Sequence, residues 1–539
     1  MAYKQILLRE EARDKILRGA RALAEAVKGT LGPRAHSVLI ERRWGRPLVC
    51  DDGVTIAREL ELEDPAENLG AQVMKEAAER TGDAVGDGTT TATLLAYALY
   101  SEGVKNVTAG AAAVELRRGM ERGLKKAEEA LVSLSRPVTG RTEKAQVATI
   151  SAHGDTFVGE TVAEALERVG TEGVITVEEA KGTETVVEVV EGMRFDRGYL
   201  SPYFVTDTER MEAVLEDPMV LLFERRITVM KDLLPLLEQV VGAGRPLFLV
   251  AEDVDGEALA TLVVNKLRGV LPSVAVKAPG FGDRRKAMLQ DLGILTGARP
   301  VSEELGLKLD NISLEDLGTV KRVVVTRDAT TLVGGGGRPE EIEARRTELR
   351  RQIEVAESDY DREKLQERLA KLSGGVAVVR VGAPSEAEMK ARKEAFEDAV
   401  SATKAAVDEG IVPGAGLAFL RVIPAVEEEG AQAEGDERTG VLILRKALEV
   451  PSRQIAENSG VDGGVVIERM RKGPGNLGFD AARCEYVDLL EAGIIDPTKV
   501  VRAALANAVS VAGILLLAHA TMTEVRGSEP KPSGAGEDF

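Results

Sequence analysis

A short block of glycine, aspartate and threonine, residues 86–91 (Gly-Asp-Gly-Thr-Thr-Thr), has the residue types and spacing of a phosphate-binding site. It leads directly into an Ala/Leu-rich segment, residues 92–99, which is typical of a helix. Glycines let the backbone approach a ligand, and the free N–H groups and dipole of a first helical turn attract anions. The carboxylate of Asp87 would repel a phosphate unless a hard cation such as Mg²⁺ lay between them. The block therefore predicts a site for a metal-complexed nucleotide, although a surface helix capped by its own threonines also fits the pattern.

Three further segments carry residues that could join such a site. Residues 30–33 (Thr-Leu-Gly-Pro) form a turn that closes the first long helix, and a rigid Gly-Pro backbone could touch a phosphate, although alone it is only a helix stop. Asp51 and Asp52 are paired carboxylates in a turn, and Asp398 lies on an amphipathic helical segment. Carboxylates at such positions usually face solvent, so each is weak evidence by itself.

An aromatic cluster marks a second candidate region. Residues 199–204 (Tyr-Leu-Ser-Pro-Tyr-Phe) contain three aromatic side chains in a chain with few of them. Pro202 excludes a regular helix, which predicts a loop or a strand edge. Aromatic side chains gathered on a loop indicate a binding surface, and a local plug of the hydrophobic core is the alternative.

Composition limits the class of protein. A chain of 539 residues is too long for a single core, and a net charge of −19 argues against nucleic acid or an anionic membrane as a partner. The two cysteines, Cys50 and Cys484, cannot form a disulfide framework or a cysteine zinc site, which suits a reducing cytoplasm. The histidines, including His153, are too dispersed for a metal motif and are expected to be surface or structural residues. The apolar run 508–518 is too short to span a bilayer and predicts a buried helix.

Hydrophobic periodicity predicts helical ends around an α/β centre. Apolar residues recur at helical spacing near both termini, whereas the middle of the chain alternates strand-like and helical runs. A long charged segment, residues 339–372, is expected to be helical and to break at Ser358-Asp359 into an antiparallel pair. The remaining predicted elements are helices over 10–29, 66–82, 89–106 and 113–134, strands over 173–177, 185–190, 220–223, 247–250 and 274–276, and a helical region from about 411. This order predicts a centre inserted into a domain made from both termini.

Together these segments resemble the group I chaperonins, the bacterial GroEL type, from the N-terminal helix to about residue 526. The motifs that carry the resemblance are residues 30–33, 86–93, 173–177, 195–204, 278–285 and 358–368. The resemblance implies a multidomain α+β fold with a mostly helical equatorial domain (1–136 and 411–526), a small α/β intermediate domain (137–191 and 376–410) and an inserted α/β apical domain (192–375). Residues 527–539 would be a flexible tail. It also implies a homo-oligomer of sevenfold rings, stacked as a tetradecamer.

The resemblance implies an ATPase that uses Mg²⁺ and K⁺. Asp87 would carry Mg²⁺, and Asp398 would swing in from the intermediate domain to orient the attacking water, with Asp52 nearby. The nucleotide would be held by Thr30, Leu31, Gly32, Pro33, Asp51, Asp87, Gly88, Thr89, Thr90, Thr91, Ala415, Asp480, Ala481, Ala482 and Asp496. Asp51 stands where the family commonly has lysine, and Ala415 interrupts its usual glycine run. Both differences are expected to weaken the affinity for ATP or K⁺.

The resemblance further implies that an apical surface captures non-native polypeptides and a GroES-type co-chaperonin lid, which encloses them for folding. That surface would consist of Tyr199, Ser201, Tyr203, Phe204, Leu234, Leu237, Leu259, Val263 and Val264. The spacings 234/237 and 259/263 put each pair on one helix face, but they do not distinguish a buried face from an exposed groove. Two alternatives remain: a specialised paralogue with weakened ATP cycling that acts as a holdase or assembly scaffold, and a metabolic phosphotransferase, which no substrate-binding constellation supports.

Overall fold

The computed structural model describes residues 4–41, 47–170, 173–180, 182–208, 210–302, 309–356 and 358–524. The chain forms two compact units, the first made of residues 1–163 and 394–539 and the second of residues 164–393. The first unit therefore contains both ends of the chain. The expected flexible tail, residues 527–539, lies outside the described residues.

The described residues form helices and short strands along the chain. The helices are α1 (Arg9–Val27), α2 (Gly53–Glu59), α3 (Pro65–Val85), α4 (Thr89–Thr108), α5 (Ala113–Leu134), α6 (Arg141–Ser151), α7 (Thr156–Val169), α8 (Leu234–Ala243), α9 (Gly256–Leu267), α10 (Gly282–Thr296), α11 (Pro339–Val355), α12 (Asp359–Ser373), α13 (Glu386–Glu409), α14 (Leu417–Gln432), α15 (Gly435–Ala447), α16 (Val450–Asn458), α17 (Gly463–Lys472) and α18 (Thr498–Leu517). The strands are β1 (Lys4–Leu8), β2 (Val38–Ile40), β3 (Leu48–Cys50), β4 (Val174–Glu179), β5 (Val186–Val190), β6 (Gly192–Phe195), β7 (Ala213–Glu216), β8 (Met219–Leu222), β9 (Arg226–Ile227), β10 (Leu247–Ala251), β11 (Asp253–Val254), β12 (Ser273–Lys277), β13 (Gly318–Val325), β14 (Thr330–Gly335), β15 (Val376–Val381), β16 (Ile411–Pro413), β17 (Leu477–Asp480), β18 (Glu485–Asp488), β19 (Ile495–Pro497) and β20 (Ala520–Glu524).

The first unit is a helical body built around α18. This helix packs against α3, α4 and α5, while α1 lies on α3 and α15 on α5. Among the described residues α18 is the one helix long and apolar enough to cross a membrane, yet 61% of its apolar window is buried inside the protein. Ala504, Leu505 and Ala508 are fully buried. The apolar run noted in the sequence is thus part of a longer core helix of this unit.

Small antiparallel ribbons complete the first unit. Strand β1 pairs with β20 and so joins the two ends of the chain, and β2 pairs with β3. The other two ribbons, β16 with β19 and β17 with β18, lie between the C-terminal helices. Their turns bring short loops next to the first turn of α4.

The second unit is a mixed α/β structure. Its larger sheet has the strand order β12-β10-β8-β13-β14-β6, with β7 also on β13, and β4-β15-β5 form a separate sheet. Strands β8, β10 and β12 are parallel, and β10 is buried along its whole length, as expected for a parallel strand covered on both faces. The charged segment does break as predicted, because the Ser358 hydroxyl accepts a hydrogen bond from the N–H of Asp361 and starts α12.

The order of elements agrees with a helix-rich, multidomain α+β fold, and the helices predicted over 10–29, 66–82, 89–106 and 113–134 correspond to α1, α3, α4 and α5. The two segments assigned to an intermediate domain are each divided between the two compact units. The chain leaves the first unit within α7 and returns to it within α13. The division into three domains stays a prediction.

Candidate active site

A pocket in the first unit brings together segments that are far apart in sequence. Its volume is about 320 Å³, within the range of small-molecule sites. Every residue predicted to hold the nucleotide or act in catalysis lies on its wall: Thr30, Leu31, Gly32, Pro33, Asp51, Asp52, Asp87, Gly88, Thr89, Thr90, Thr91, Asp398, Ala415, Asp480, Ala481, Ala482 and Asp496. The capped surface helix considered for residues 86–91 does not describe this arrangement, because the block faces a cavity.

The first turn of α4 forms one side of the pocket. Gly86 ends α3 with φ 71°, and Gly88 precedes α4 with φ 78°, so two left-handed residues turn the chain between the helices. The threonines are the first three residues of α4 itself, and the first intrahelical bond of this turn runs from the Ala92 N–H to the Gly88 carbonyl. The N–H groups of the threonines therefore have no carbonyl partner within the helix. They are available to an anion in the pocket.

A hydroxyl pair ties the first turn of α4 to the turn after α1. The Thr30 hydroxyl donates to the Val27 carbonyl at 2.9 Å and lies 3.0 Å from the Thr90 hydroxyl. Because a hydroxyl has one hydrogen, Thr90 donates to Thr30. Both threonines are buried, and Gly32 adopts φ 93° in the turn that follows. The two predicted phosphate-binding segments are thus held against each other.

Asp52, Asp87 and Asp398 line the pocket, and their charges repel one another. Burial raises the pKa of Asp398 well above its usual value, and the charges of Asp87 and Asp52 raise it further. Burial also raises the pKa of Asp87. Asp52 accepts hydrogen bonds from the N–H groups of Val54 and Thr55, so it caps α2. This capping role was not foreseen from the sequence. The repulsion among these three carboxylates would be reduced by a bound cation.

Asp398 reaches the pocket because α13 packs closely against the end of α3. A Cβ at Gly86 would lie 2.3 Å from the Cβ of Ser401, so a glycine is needed for this approach. Ser401 follows Asp398 by about one helical turn. In this conformation Asp398 lies on the pocket wall. Asp398 belongs to the first unit, and the swing from an intermediate domain that the resemblance implies stays a prediction.

Another part of the pocket wall comes from the β17–β18 turn and the start of α18. The Asp480 carboxylate accepts hydrogen bonds from the N–H groups of Ala482 and Arg483 and so fixes this turn. The Arg34 side chain donates to the Ala482 carbonyl at 2.8 Å, which links the wall to the turn after α1. Burial, followed by the charge of Asp87, raises the pKa of Asp496 to about 7.

Ala415, between β16 and α14, also lines the pocket and has a strained conformation. Its φ of 52° is in the left-handed region, which favours glycine, and its neighbour Gly416 has φ 72°. The Ser452 hydroxyl donates to the Ala415 carbonyl at 2.9 Å. The alanine thus occupies a backbone position suited to glycine and adds a methyl group beside the cavity.

Sequence reasoning missed two polar residues of the pocket, Ser151 and His153. The Ser151 hydroxyl is buried close to the Asp87 carboxyl, where it lowers that pKa, but without the geometry of a hydrogen bond. His153 lines the pocket with φ 54° and also lowers the pKa of Asp87. His153 is exposed, as predicted for a surface residue, but its place on the pocket wall was not foreseen. No sequence pattern marks either residue: Ser151 ends α6, and His153 lies in the turn that follows.

The aromatic cluster and the residues grouped with it lie in the second unit, on the loop before β7 and on α8 and α9. Tyr203, Leu234 and Val264 are 66%, 47% and 42% exposed. Tyr199, Leu259 and Val263 are half-buried and pack on the core of the unit.

For Ser201, Phe204 and Leu237 the expected exposed groove is wrong. All three are buried, Phe204 completely. Phe204 is the core plug that was the alternative for this segment, and the Ser201 hydroxyl accepts from the Tyr203 N–H. Leu234 and Leu237 lie at the boundary between the exposed and buried faces of α8, and of these two residues only Leu234 faces outward.

Comparison with known proteins covers both units. Residues 23–526 match the TCP-1/cpn60 chaperonin family. A protein of Bradyrhizobium diazoefficiens named Chaperonin GroEL 5 is 63% identical over 531 residues, which is 98% of each chain. Both matches include every segment that lines the pocket.

Proposed function

Since the chain belongs to the TCP-1/cpn60 chaperonin family, we propose that the pocket of its first unit is the ATP site of the chaperonin cycle. The chain is an ATP-dependent chaperonin, and its activity is ATP hydrolysis coupled to protein folding. The observation that carries the site assignment is the meeting of the free N–H groups of α4 with Asp87 and Asp398 in one cavity. A metabolic phosphotransferase does not agree with this family.

The N–H groups and hydroxyls of Thr89, Thr90 and Thr91 would bind the phosphate oxygens, because the start of a helix favours negative charge. Asp398 would accept a hydrogen bond from the attacking water and orient it. Its ionised form is favoured once positive charge reduces the repulsion from Asp87 and Asp52. The walls near Ala415 and Asp480 would contact the nucleoside.

The residues present fit a Mg²⁺ ion that arrives with the nucleotide. No group of three or more His, Cys, Asp or Glu side chains poised to hold a metal occurs among the described residues. Mg²⁺ commonly uses one or two carboxylates together with phosphate oxygens and water. Asp87 would supply the carboxylate, and Mg²⁺ would neutralise charge on the transferred phosphoryl group. K⁺ remains an expectation, tested by comparing hydrolysis in K⁺ and Na⁺ buffers.

Binding by Asp87 is tested with Asp87→Asn, which keeps the shape of the side chain and removes its charge. We expect Mg²⁺ to cease to strengthen ATP binding, measured by calorimetry with and without the metal. Asp14→Asn, an exposed residue of α1 paired with Arg18, serves as the matched control. An unchanged Mg²⁺ dependence in Asp87→Asn would exclude this residue as the ligand.

We also propose that exposed apolar side chains of the second unit capture non-native polypeptides and a GroES-type co-chaperonin. The short helix 202–204 contacts α9, and the short helix 230–232 contacts both α9 and α8. The two short helices, α8 and α9 therefore form a row of neighbouring elements. This row carries three exposed apolar side chains, Tyr203, Val264 and Leu234. Unfolded chains expose apolar surface that such a row can bind.

The capture surface is tested by Tyr203→Glu and Leu234→Glu in the full chain. Both variants should bind a denatured protein at least about tenfold more weakly, since a charge would be buried in the complex. Val355→Glu is the control, because Val355 is 77% exposed at the end of α11, outside this row. Equal loss in the control would show that added charge alone explains the effect.

Ring assembly is supported by two exposed ribbons of the first unit. Ile6, Leu8 and Met522 on the β1–β20 ribbon are 54%, 55% and 59% exposed, and Leu39 and Val49 on the β2–β3 ribbon are 74% and 65% exposed. Isolated two-stranded ribbons are marginal in water, and free edges pair with other strands. Neighbouring copies of this chain would cover them. Sevenfold rings stacked as a tetradecamer in the cytoplasm are the proposed assembly, tested by native mass spectrometry.

Asp51 and Ala415 leave the proposed hydrolytic residues in place. Asp51 is exposed at the pocket rim, and Ala415 contributes strain and a methyl group. We therefore expect weaker nucleotide affinity with hydrolysis retained. A holdase or assembly scaffold with weakened ATP cycling is the alternative, and ATP-dependent recovery of a denatured enzyme, with and without a co-chaperonin, separates the two.

A further inference from the structure

The turn after α1, residues 28–33, depends on a side chain from the other end of the chain. The Nδ2 group of Asn458, the last residue of α16, donates to the Lys28 carbonyl and to the Leu31 carbonyl, each at 2.8 Å. These carbonyls lie on either side of Thr30, which carries the hydroxyl bonded to Thr90. The amide of Asn458 thus holds two backbone carbonyls of this pocket wall, which are 430 and 427 positions away from it in the sequence.

The orientation of that amide is set by a second side chain. Gln454 Nε2 donates to the Asn458 Oδ1 atom at 2.8 Å. Because Oδ1 is occupied as an acceptor, Nδ2 faces the turn with both of its hydrogens. The pair lies at i and i+4 on α16, a spacing that places two side chains on one helix face.

The same helix also supports two other parts of the pocket. A Cβ on Gly32 would lie 3.3 Å from the Ile455 side chain, so α16 packs directly on this turn. Near the start of α16, Ser452 donates to the Ala415 carbonyl. Positions 452, 455 and 458 therefore contact two walls of the pocket from one short helix.

We infer that Asn458 is a positioning residue for nucleotide binding, which acts by holding the 28–33 turn against α4. This rests on the proposed ATP site. Asn458 does not line the pocket, so its effect on the nucleotide would pass through the backbone of Leu31 and Gly32. Without the two Asn458 hydrogen bonds, the 28–33 turn can move away from the phosphates. Asp398 and the start of α4 do not depend on these hydrogen bonds and keep their positions.

The inference predicts a split between KM and kcat for ATP hydrolysis by the assembled protein. Asn458→Ala removes both donors, and Asn458→Asp keeps the shape but turns the donor into an acceptor that repels the two carbonyls. We expect KM for MgATP to rise about tenfold in each, with kcat within about twofold of the unaltered protein. Gln454→Ala, which loses only the orienting bond, should raise KM by a smaller factor.

The matched control is Asn106→Asp, because Asn106 is also half-buried and its Nδ2 group donates to a backbone carbonyl, that of Glu102 within α4. It should leave KM unchanged. An unchanged KM in Asn458→Ala, or an equal fall of kcat in all variants in step with lost thermal stability, would overturn the inference. Failure of the ATP site itself would instead appear as unaltered hydrolysis in Asp398→Asn, so the two failures are distinguishable. If Asn458→Asp does not fold, Gln454→Ala still gives the test.

Discussion

The hydroxyl groups of Thr30 and Thr90 lie 3.0 Å apart in the interior of the first unit, although the residues are 60 positions apart in the chain. This contact joins the turn after α1 to the first turn of α4, and both elements line the same pocket. A buried hydrogen bond of this kind stabilises by about 1 kcal/mol. The contact therefore couples the two segments that we assign to phosphate binding.

A double-mutant cycle measures this coupling. Thr30→Val and Thr90→Val each remove the bond with little change in volume, so the double variant should lose less MgATP affinity than the sum of the single variants, by about 1 kcal/mol. Thr93 supplies the control, because its hydroxyl bonds to the Thr89 carbonyl within α4. Thr30→Val combined with Thr93→Val should be additive, and additivity in the Thr30/Thr90 cycle would show that the two hydroxyls are not coupled.

Ala415→Gly should stabilise the protein. The left-handed φ of 52° strains the backbone of an alanine, and glycine removes this strain. Glycine also raises the entropy of the unfolded chain, but this cost is smaller, so the free energy of unfolding should rise by up to about 1 kcal/mol. Gly416→Ala is the matched opposite change, since its Cβ would lie 2.5 Å from the Ser452 hydroxyl oxygen. Urea unfolding should move the midpoint upward for the first and downward for the second. A lower midpoint for Ala415→Gly would show that this position carries no strain.

Asp51→Asn should raise the affinity for MgATP about threefold at low salt. Asp51 is exposed on the pocket rim, where its charge opposes the negative charge of the nucleotide. Salt screens such a surface effect, so the gain should shrink between about 0.05 and 0.5 M salt. Titration calorimetry at both salt concentrations checks this, with Asp14→Asn as a control of equal charge change. A gain that does not depend on salt would point to a cause other than charge.

Asp291→Asn should strongly destabilise the second unit. The Asp291 carboxylate is almost fully buried on α10 and accepts from Arg345 on α11 and from Arg368 on α12, at 2.8 Å each. Removing its charge takes the carboxylate partner from Arg368 and leaves Arg345 with only the exposed Glu348, which costs about 3–5 kcal/mol.

The matched control for Asp291 is Glu341→Gln, because Glu341 and Arg338 form an exposed pair at the start of α11. It should change stability by less than about 0.5 kcal/mol. Thermal unfolding followed by circular dichroism compares the two. Similar effects in both variants would mean that the buried cluster contributes no more than a surface pair.

Local patterns were sufficient for much of the fold and of the phosphate-binding wall. The start of α4 follows from glycines before threonines, and α1, α3 and α5 follow from apolar periodicity, because these signals are carried by neighbouring residues. The grouping of Asp398 with Asp87 came from family resemblance, and the structure places both in one pocket.

Other features depend on contacts between distant segments and have no local signal. Asn458 donates hydrogen bonds to backbone carbonyls. Because every residue has a backbone carbonyl, no pattern of residue types in the sequence identifies its partners. Ser151 reaches the pocket from the end of α6 and His153 from the turn after it. The spacing of Leu234 and Leu237 indicates a shared face but not which residue the core covers, and the structure buries only Leu237.

The assignment of hydrolysis to this pocket is tested most directly by single-turnover ATP hydrolysis in Asp398→Asn, with MgATP affinity measured on the same sample. Asp408→Asn is the control, because Asp408 lies on the same helix, α13, and pairs with Lys499. We predict that Asp398→Asn binds MgATP within about threefold of the unaltered protein and hydrolyses it at least about 100-fold more slowly. Hydrolysis at the unaltered rate in Asp398→Asn would contradict the account.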